Sequence, residues 1–198
     1  ILFYEAKPRK DLRGLASPIS THWIENLKNT SEQELWDSLR KTLRHGIKKA
    51  QTHGLQIRKC EDFKELKQFY NLYVTNLIRK RTVPYPWQVI QFLYQSPSNE
   101  LLLAIYRGKI IGGDMFLHYS RFVHYFLSVS NYKYRNFGVS HLILWEKIKG
   151  LIGKDVIFDL GATPKNSSLN IFKAGWGGKE YPILQIGTKR KDESFRSS

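Results

Sequence analysis

The sequence predicts a mixed α/β (α+β) domain in which a mainly antiparallel sheet carries helices on both faces. Amphipathic helices come first, three strand-like runs separated only by turn residues follow, and a strand–helix–strand unit closes the pattern. The three runs, at 101–106, 110–119 and 122–130, are rich in β-branched and aromatic residues, and the turns between them predict an antiparallel meander. Helices before a meander and a crossover after it are typical of a mixed sheet covered on both sides.

The first long helix is predicted from Ser31 to Gly54. Apolar residues recur at every fourth position from Leu35 to Ile47, which places them on one face of a helix. Thr30 or Ser31 can cap the helix, Glu34 is placed to complete a capping box, and Gly54 can end it. We therefore expect a single amphipathic helix.

The other elements follow from the same kinds of pattern. In chain order they are a strand at 55–60, a helix at 61–81, a short helix at 86–94, the three meander strands, a helix at 138–152, a strand at 156–160, a short helix at 167–173 and a last strand at 181–187. Residues 1–20 are interpreted as the tail of a preceding segment with a linker, and residues 188–198 as a polar, disordered tail. The domain itself is expected at 21–187.

Composition limits the classes of function. The 198 residues are 41% hydrophobic, enough for one folded core, and their net charge of +15 favours polyanionic partners. No stretch is long and apolar enough for a transmembrane segment. Cys60 is the sole cysteine, so we expect no disulfide within the chain and a cytoplasmic location. No metal site is expected, and the six histidines form no Ser/His/Asp or Cys/His constellation recognisable in the sequence.

A basic ridge is predicted on the first helix. Arg40, Arg44 and Lys48 recur every four residues on the side opposite the leucines, and no acidic residue falls between Arg40 and Lys49. Like charges so closely spaced repel one another unless a bound anion neutralises them. The ridge can therefore face the phosphates of a ligand, or it can be a solvated helix face, and the sequence leaves both interpretations open.

Two charged residues late in the chain are candidates for chemistry. Asp159 follows an apolar strand, where a carboxylate is costly to bury without a partner. It could act as a general base or position an amine, or it could brace a loop. Phe172 and Lys173 lie late in a short helix, before a glycine cluster. The lysine could bind an anionic substrate, or it could only stabilise the helix through its interaction with the helix dipole.

Four segments of the chain resemble a known family. They are Leu35-Trp36 with the basic run from Leu43 to Ala50, the turn from Arg79 to Pro86, Leu144-Trp145, and Phe158-Asp-Leu-Gly161 followed by Phe172-Lys173 and Trp176-Gly-Gly178. In this order they are similar to segments of the FemAB-like (Fem/peptidyltransferase-like) acyltransferases. That family is a branch of the GNAT (acyl-CoA N-acyltransferase) superfamily, which the order of predicted elements also resembles. The last segment is the most specific part of the resemblance.

The resemblance implies transfer of an acyl or aminoacyl group to an amine. In the family, the lysine matched by Lys173 lies by the acyl donor, where its charge would stabilise the oxyanion, and Phe172 packs beside it. Arg44 matches the family's helix arginine, and Asp159 would position or deprotonate the amine. The implied donor is a polyanion, aminoacyl-tRNA or acyl-CoA, with no tightly bound cofactor. The implied acceptor is a small amine or a cell-envelope precursor of peptidoglycan or polysaccharide. Family members carry two such domains in tandem, so we expect a second GNAT-like domain to be missing from this chain.

The junction before the helix at 138–152 bears on the choice of donor. In the GNAT superfamily it reads Gln/Arg-x-x-Gly-x-Gly/Ala and cradles the pyrophosphate of coenzyme A. Arg135, Gly138 and Ser140 occupy the matching positions, but Ser140 replaces a smaller residue and Phe137 is bulky. A plain loop into a helix stays open, as do two other functions: an acetyl-CoA-dependent N-acetyltransferase and a non-catalytic basic module that binds RNA or another anion.

Overall fold

The computed structural model describes residues 3–5 and 18–186. Its strands are β1 (Phe3–Glu5), β2 (Ile19–Ile24), β3 (Gln56–Lys59), β4 (Glu100–Tyr106), β5 (Lys109–Tyr119), β6 (Phe122–Ser130), β7 (Ile157–Asp159), β8 (Thr163–Pro164), β9 (Lys179–Pro182) and β10 (Leu184–Ile186). Its α-helices are α1 (Glu32–Ser38), α2 (Lys41–Thr52), α3 (Phe63–Arg79), α4 (Trp87–Gln95), α5 (Val139–Lys149) and α6 (Ser168–Ala174). The tail predicted at 188–198 lies outside the described residues, as do residues 1–2 and 6–17 of the predicted linker.

One large sheet organises the described chain. Its strand order is β3-β4-β5-β6-β7-β2-β8, with β9 also paired to β2, while β1 pairs with β10. Within the described residues the strands of this sheet pair antiparallel, except for β6 with β7, which are parallel. The predicted mixed, mainly antiparallel sheet and its meander β4-β5-β6 are therefore confirmed. The last predicted strand, at 181–187, is divided between β9 and β10.

Helices cover both faces of the sheet, as the sequence predicts. On one face, α1, α2 and α5 enclose a core that includes Ile47, Ile143 and Phe158. On the other face, α3 and α4 pack over a second core that includes Phe69 and Leu103. Burial of this apolar area, at about 25 cal/mol per Å², is the main term that favours folding. Among the helices of the described ranges, none combines the length and the apolar content needed to cross a membrane.

The helix predicted over 31–54 is two helices. Leu39 and Arg40, between α1 and α2, are extended, with ψ of 139° and 141°. The Arg40 N–H donates to the carbonyl oxygen of Gly175 at 2.9 Å, so a contact distant in sequence replaces the helical hydrogen bond. The apolar stripe continues across the break because both helices turn it toward the same core. The capping box predicted at Ser31 is confirmed at the start of α1.

One central strand is absent from the sequence-based prediction. β2 lies between β7 and β8 in the sheet. Ser20, Thr21 and His22 interrupt its apolar pattern, yet all three side chains are buried. Buried polar groups need partners, and Thr21 finds one in Asp159, 138 positions away. A local pattern therefore cannot reveal that this segment belongs to the sheet.

Asp114 on β5 is a buried carboxyl whose ionisation opposes folding. Its side chain is fully buried, and neither oxygen has a hydrogen-bond partner within hydrogen-bonding geometry in the described chain. Burial raises the pKa of Asp114 to about 8, and the nearby hydroxyl groups of Ser128 and Tyr125 offset this only in part. At neutral pH the carboxyl is therefore held in its protonated form.

We expect Asp114→Asn to stabilise the protein increasingly as pH rises. Between the unfolded pKa near 4 and the folded pKa of about 8, the folded wild type binds one proton that the unfolded chain releases. Wild-type stability therefore falls with rising pH by up to about 1.4 kcal/mol per unit, a loss that the asparagine variant lacks. From pH 4 to pH 6 the variant should gain about 2.4 kcal/mol on wild type in urea denaturation. A gap that does not change with pH would contradict the buried, protonated carboxyl.

Candidate active site

A groove opens where two parallel strands separate. β6 and β7 pair over three residues each, Phe122–His124 against Ile157–Asp159. β6 then continues to Ser130, whereas β7 ends at Asp159, so the space between them is filled by neither strand. The cavity has a volume of about 680 Å³, and the start of α5 and one side of α6 contribute to its walls.

A β-bulge shapes the wall that β6 contributes. Met115 on β5 is opposite Leu127, but the next residue, Phe116, is opposite Tyr125, so Phe126 is the extra residue. A bulge of this kind bends a strand and redirects its side chains. Phe126 stacks on Tyr85 with ring centroids 5.5 Å apart, and both residues line the groove.

Lys173 lies in this groove with its ammonium group largely buried. The side chain extends from α6, only 5% of the residue is exposed, and Nζ donates to the carbonyl oxygens of Gly161 at 2.8 Å and Ala162 at 3.3 Å. A lysine ammonium has three N–H donors, so one remains for a ligand. Burial lowers the pKa of Lys173 to about 8, and the charge of Asp159 opposes that shift. Near pH 7 the group is predominantly a cation.

Asp159 is buried behind a histidine and not in the groove wall. Its Oδ1 accepts hydrogen bonds from Thr21 Oγ1 at 2.5 Å and the Gly161 N–H at 2.8 Å, and its Oδ2 lies 2.7 Å from His124 Nδ1. Burial alone would raise the pKa of Asp159, but the hydrogen bonds from His124, Thr21 and Gly161 hold it below its usual value. With the carboxylate ionised, we assign the donated proton to Nδ1, which leaves Nε2 of His124 with a free lone pair.

Gly161 separates the histidine from the lysine. Its φ of +78° lies in the left-handed region, and a Cβ built on it would lie 3.4 Å from His124 Cε1, 3.5 Å from Lys173 Nζ and 3.1 Å from the Tyr125 carbonyl oxygen. Only a residue without a side chain leaves this point free for a ligand atom. An imidazole and an ammonium therefore converge on one small space in the groove.

The start of α5 forms another wall of the groove. Arg135, Gly138 and Ser140, the three predicted loop positions, all line the cavity. Gly138 has a φ of +74°, and a Cβ there would lie 2.3 Å from the carbonyl oxygen of Gly46 on α2. Close packing of α2 thus accounts for this glycine without a ligand. Ser140 Oγ lies 3.1 Å from Ser128 Oγ, so the hydroxyl is already in a hydrogen bond.

The mouth of the groove is basic and aromatic. Arg79 and Arg135 lie over the Tyr132 ring, with guanidinium carbons 3.8 Å and 4.3 Å from its centroid. Arg135 and Lys80 line the cavity, and Arg79 adjoins it through the Tyr132 ring that it shares with Arg135. Neither arginine forms an ion pair with an acidic residue of the described chain. Phe172, the other residue of the predicted pair, also lines the groove, with its ring edge-on to His141 at 5.2 Å.

The predicted basic ridge lies outside the groove. Arg40 precedes α2, so the three residues do not share one helix, and its guanidinium donates to a backbone carbonyl of α6 at 3.3 Å. Arg44 forms an ion pair with Asp37 at 3.7 Å, and Lys48 Nζ lies 5.8 Å from the centre of the Trp36 ring. Arg44 therefore has an acidic partner on α1, which lies outside the acid-free stretch between Arg40 and Lys49.

Sequence reasoning missed His124. It stands 35 residues before Asp159, and no spacing rule connects the two. The register of β6 against β7 places them opposite each other, and that register is a property of the sheet. A polar residue in a strand otherwise rich in apolar residues is the one local sign that could have drawn attention to it.

The chain is similar to known proteins in family and in fold. Residues 37–173 match the acetyltransferase (GNAT) domain family. The fold is similar to that of FemX, with a TM-score of 0.70 and 14% identity over 93% of this chain and 65% of FemX. It is also similar to L-PGS from Bacillus licheniformis, with a TM-score of 0.64 and 12% identity over 88% of this chain and 62% of that one. A search of curated proteins by sequence finds no match.

These likenesses differ in what they establish. At 12–14% identity the two structures establish a shared fold, and the chain spans less than two thirds of either protein. The family match covers well over half of the chain and includes β6, β7 and Lys173. The resemblance to the FemAB-like branch is confirmed: the chain belongs to the acetyltransferase (GNAT) domain family, a family of acyltransferases.

Proposed function

We propose that this chain transfers an acyl or aminoacyl group from a polyanionic donor to an amine in the groove between β6 and β7. The observation that carries the proposal is the approach of His124 and Lys173 to the same point beside Gly161. Acyl transfer to an amine needs a base that removes a proton and a positive group that stabilises an oxyanion. Both are present on one small surface.

The proposed reaction begins with the amine. Nε2 of His124 takes a proton as the amine nitrogen attacks the donor carbonyl, and the new C–N bond converts the carbonyl oxygen to an oxyanion. Asp159 acts through His124, because its carboxylate is buried and holds the ring by Nδ1. The resemblance implies that Asp159 positions or deprotonates the amine, whereas we propose that it positions the histidine.

Lys173 is proposed to stabilise that oxyanion. Two of its N–H groups are held by backbone carbonyls, so the third is oriented before the substrate arrives. A preorganised cation in a site largely shielded from water stabilises developing negative charge more than water does. The oxyanion then collapses, the bond from carbon to the donor's oxygen or sulfur breaks, and the leaving group takes the proton from His124.

The donor is proposed to be aminoacyl-tRNA or acyl-CoA. Both carry phosphates, and the groove mouth offers Arg79, Lys80 and Arg135 with the start of α5 beside them. Because packing against α2 explains Gly138, the partial match to the coenzyme A loop gives little weight to acyl-CoA. We therefore favour aminoacyl-tRNA. The acceptor is proposed to be an amine of a cell-envelope precursor, and the reaction to take place in the cytoplasm.

An assay with two donors tests the proposal. The chain is incubated with acetyl-CoA or with aminoacyl-tRNA, each labelled in its acyl group, and with a short peptide that offers a lysine amine. We expect label in the peptide from aminoacyl-tRNA. Transfer from acetyl-CoA alone would favour the N-acetyltransferase alternative. Salt-dependent binding of tRNA with no transfer from either donor would favour the non-catalytic module.

A further inference from the structure

A second cavity lies apart from the groove. Its volume is about 510 Å³, and none of its lining residues lines the groove. It forms where the C-terminal half of α5 passes β3 and the beginning of β4. The residues that carry the argument are Lys59, Glu100, His118, Lys147 and Lys154.

At the centre of this cavity wall is a buried lysine. Lys147 is 7% exposed, and its Nζ donates to Glu100 Oε2 at 2.5 Å and lies 3.1 Å from His118 Nε2. Lys59 binds the other oxygen of the same carboxylate at 2.7 Å. One carboxylate therefore lies between two ammonium groups. Burying a lysine ammonium group costs free energy, so the position of Lys147 needs an explanation other than helix propensity.

The cavity has positive charge that its own acids do not neutralise. Glu100 offsets one of Lys59 and Lys147, and Lys154 has no acidic partner within ion-pair distance in the described chain. Arg58 also lines the cavity but is paired with Glu65 outside it. The remaining acid, Glu146, is paired with a lysine outside the cavity, Lys149. Two positive charges are left.

His118 is consistent with a cavity that receives an anion, because it can donate a hydrogen bond and adds no negative charge. Burial and the neighbouring charge of Lys147 lower the pKa of His118, so the ring is neutral near pH 7. A neutral ring can accept from Lys147 at Nε2 and keeps a proton on Nδ1 as a donor. A lysine-to-glutamate bridge that ties α5 to β4 would explain Lys147 and Glu100. It would not explain Lys59, Lys154 or the open space.

We propose that this second cavity binds a phosphate group, either free phosphate or a phosphomonoester of a small molecule, through Lys59, Lys147 and Lys154. A phosphate dianion matches two uncompensated positive charges, whereas a carboxylate would match only one. The site is independent of acyl transfer, because no residue assigned to that reaction lines it.

Calorimetric titration at low ionic strength tests the proposal. Inorganic phosphate is added to the chain in one arm and glycerol 3-phosphate in another. We expect saturable binding to one site. Lys154→Gln should weaken it about tenfold by removing a charge from the exposed edge of the site, where misfolding is not expected. Tighter binding of glycerol 3-phosphate would identify a phosphomonoester as the ligand, and equal or tighter binding of inorganic phosphate would identify the free ion.

Two variants keep this test specific. Lys109→Gln removes the same charge from an exposed position at the start of β5, outside the cavity, so it should leave binding within about twofold of wild type. Lys173→Ala removes a charge from the groove and should also leave it unchanged. Wild-type binding in Lys154→Gln, or an equal loss in Lys109→Gln, would overturn the proposal. Loss of binding in Lys173→Ala would place the phosphate in the groove and overturn it as well.

Discussion

Replacing Lys173 with alanine is expected to slow acyl transfer by about 10²–10³-fold, because the variant loses the positive group that faces the developing oxyanion. The loss should appear mainly in kcat, since the proposed contact strengthens in the transition state. Lys165→Ala is the matched control, because Lys165 is an exposed lysine outside the groove. A rate for Lys173→Ala within a few-fold of this control, at equal folded fraction, would remove Lys173 from the mechanism.

The pH dependence gives the same prediction a second measurement. Lys173 must be charged to act, and burial places its pKa at about 8. The ratio of the wild-type rate to the Lys173→Ala rate should therefore be constant below pH 7 and fall as pH rises through about 8. The ratio is the useful quantity because ionisation of the acceptor amine affects both proteins alike. A ratio that stays constant up to pH 10 would indicate that the charge of Lys173 has no role.

Replacing His124 with alanine is expected to slow transfer by about 10²–10⁴-fold, the range observed for loss of a general base. Added imidazole should restore part of the rate, because the variant leaves space beside an intact Asp159. His141→Gln is the comparison, since His141 also lines the groove but has no carboxylate partner in the described chain. An equal loss in His141→Gln, or the absence of any loss in His124→Ala, would contradict the assignment.

Asp159→Asn tests whether Asp159 acts through the histidine. The amide oxygen can keep the bonds from Thr21 and Gly161, so its NH₂ group would face His124 Nδ1. The ring would then accept at Nδ1 and carry its proton on Nε2, the wrong tautomer for a base. We expect a lower rate, a melting temperature close to that of wild type, and a tautomer change visible in ¹⁵N spectra of the ring. A lower rate with the wild-type tautomer would contradict the positioning role.

The fold class could be predicted because its determinants are local. The meander at 101–130 depends on turn residues between β-branched runs, and the capping box at Ser31 depends on four consecutive residues. The break at Arg40 could not be predicted, since the partner of its N–H is the carbonyl of Gly175. The leucine period passes through that break unchanged, because two helices on one core bury the same positions.

For the candidate site, the sequence is enough to place Phe172 and Lys173 together beside glycines and to place Asp159 at the end of an apolar strand. The sequence does not show that Asp159 contacts His124, or that His124 and Lys173 approach each other across Gly161; both follow from the folded chain. These contacts cannot be predicted from local patterns, because strand register and helix packing depend on burial and on hydrogen bonds between distant segments. His124 and Thr21 are 35 and 138 positions from Asp159 in the sequence, and they contact its carboxylate only when the sheet forms.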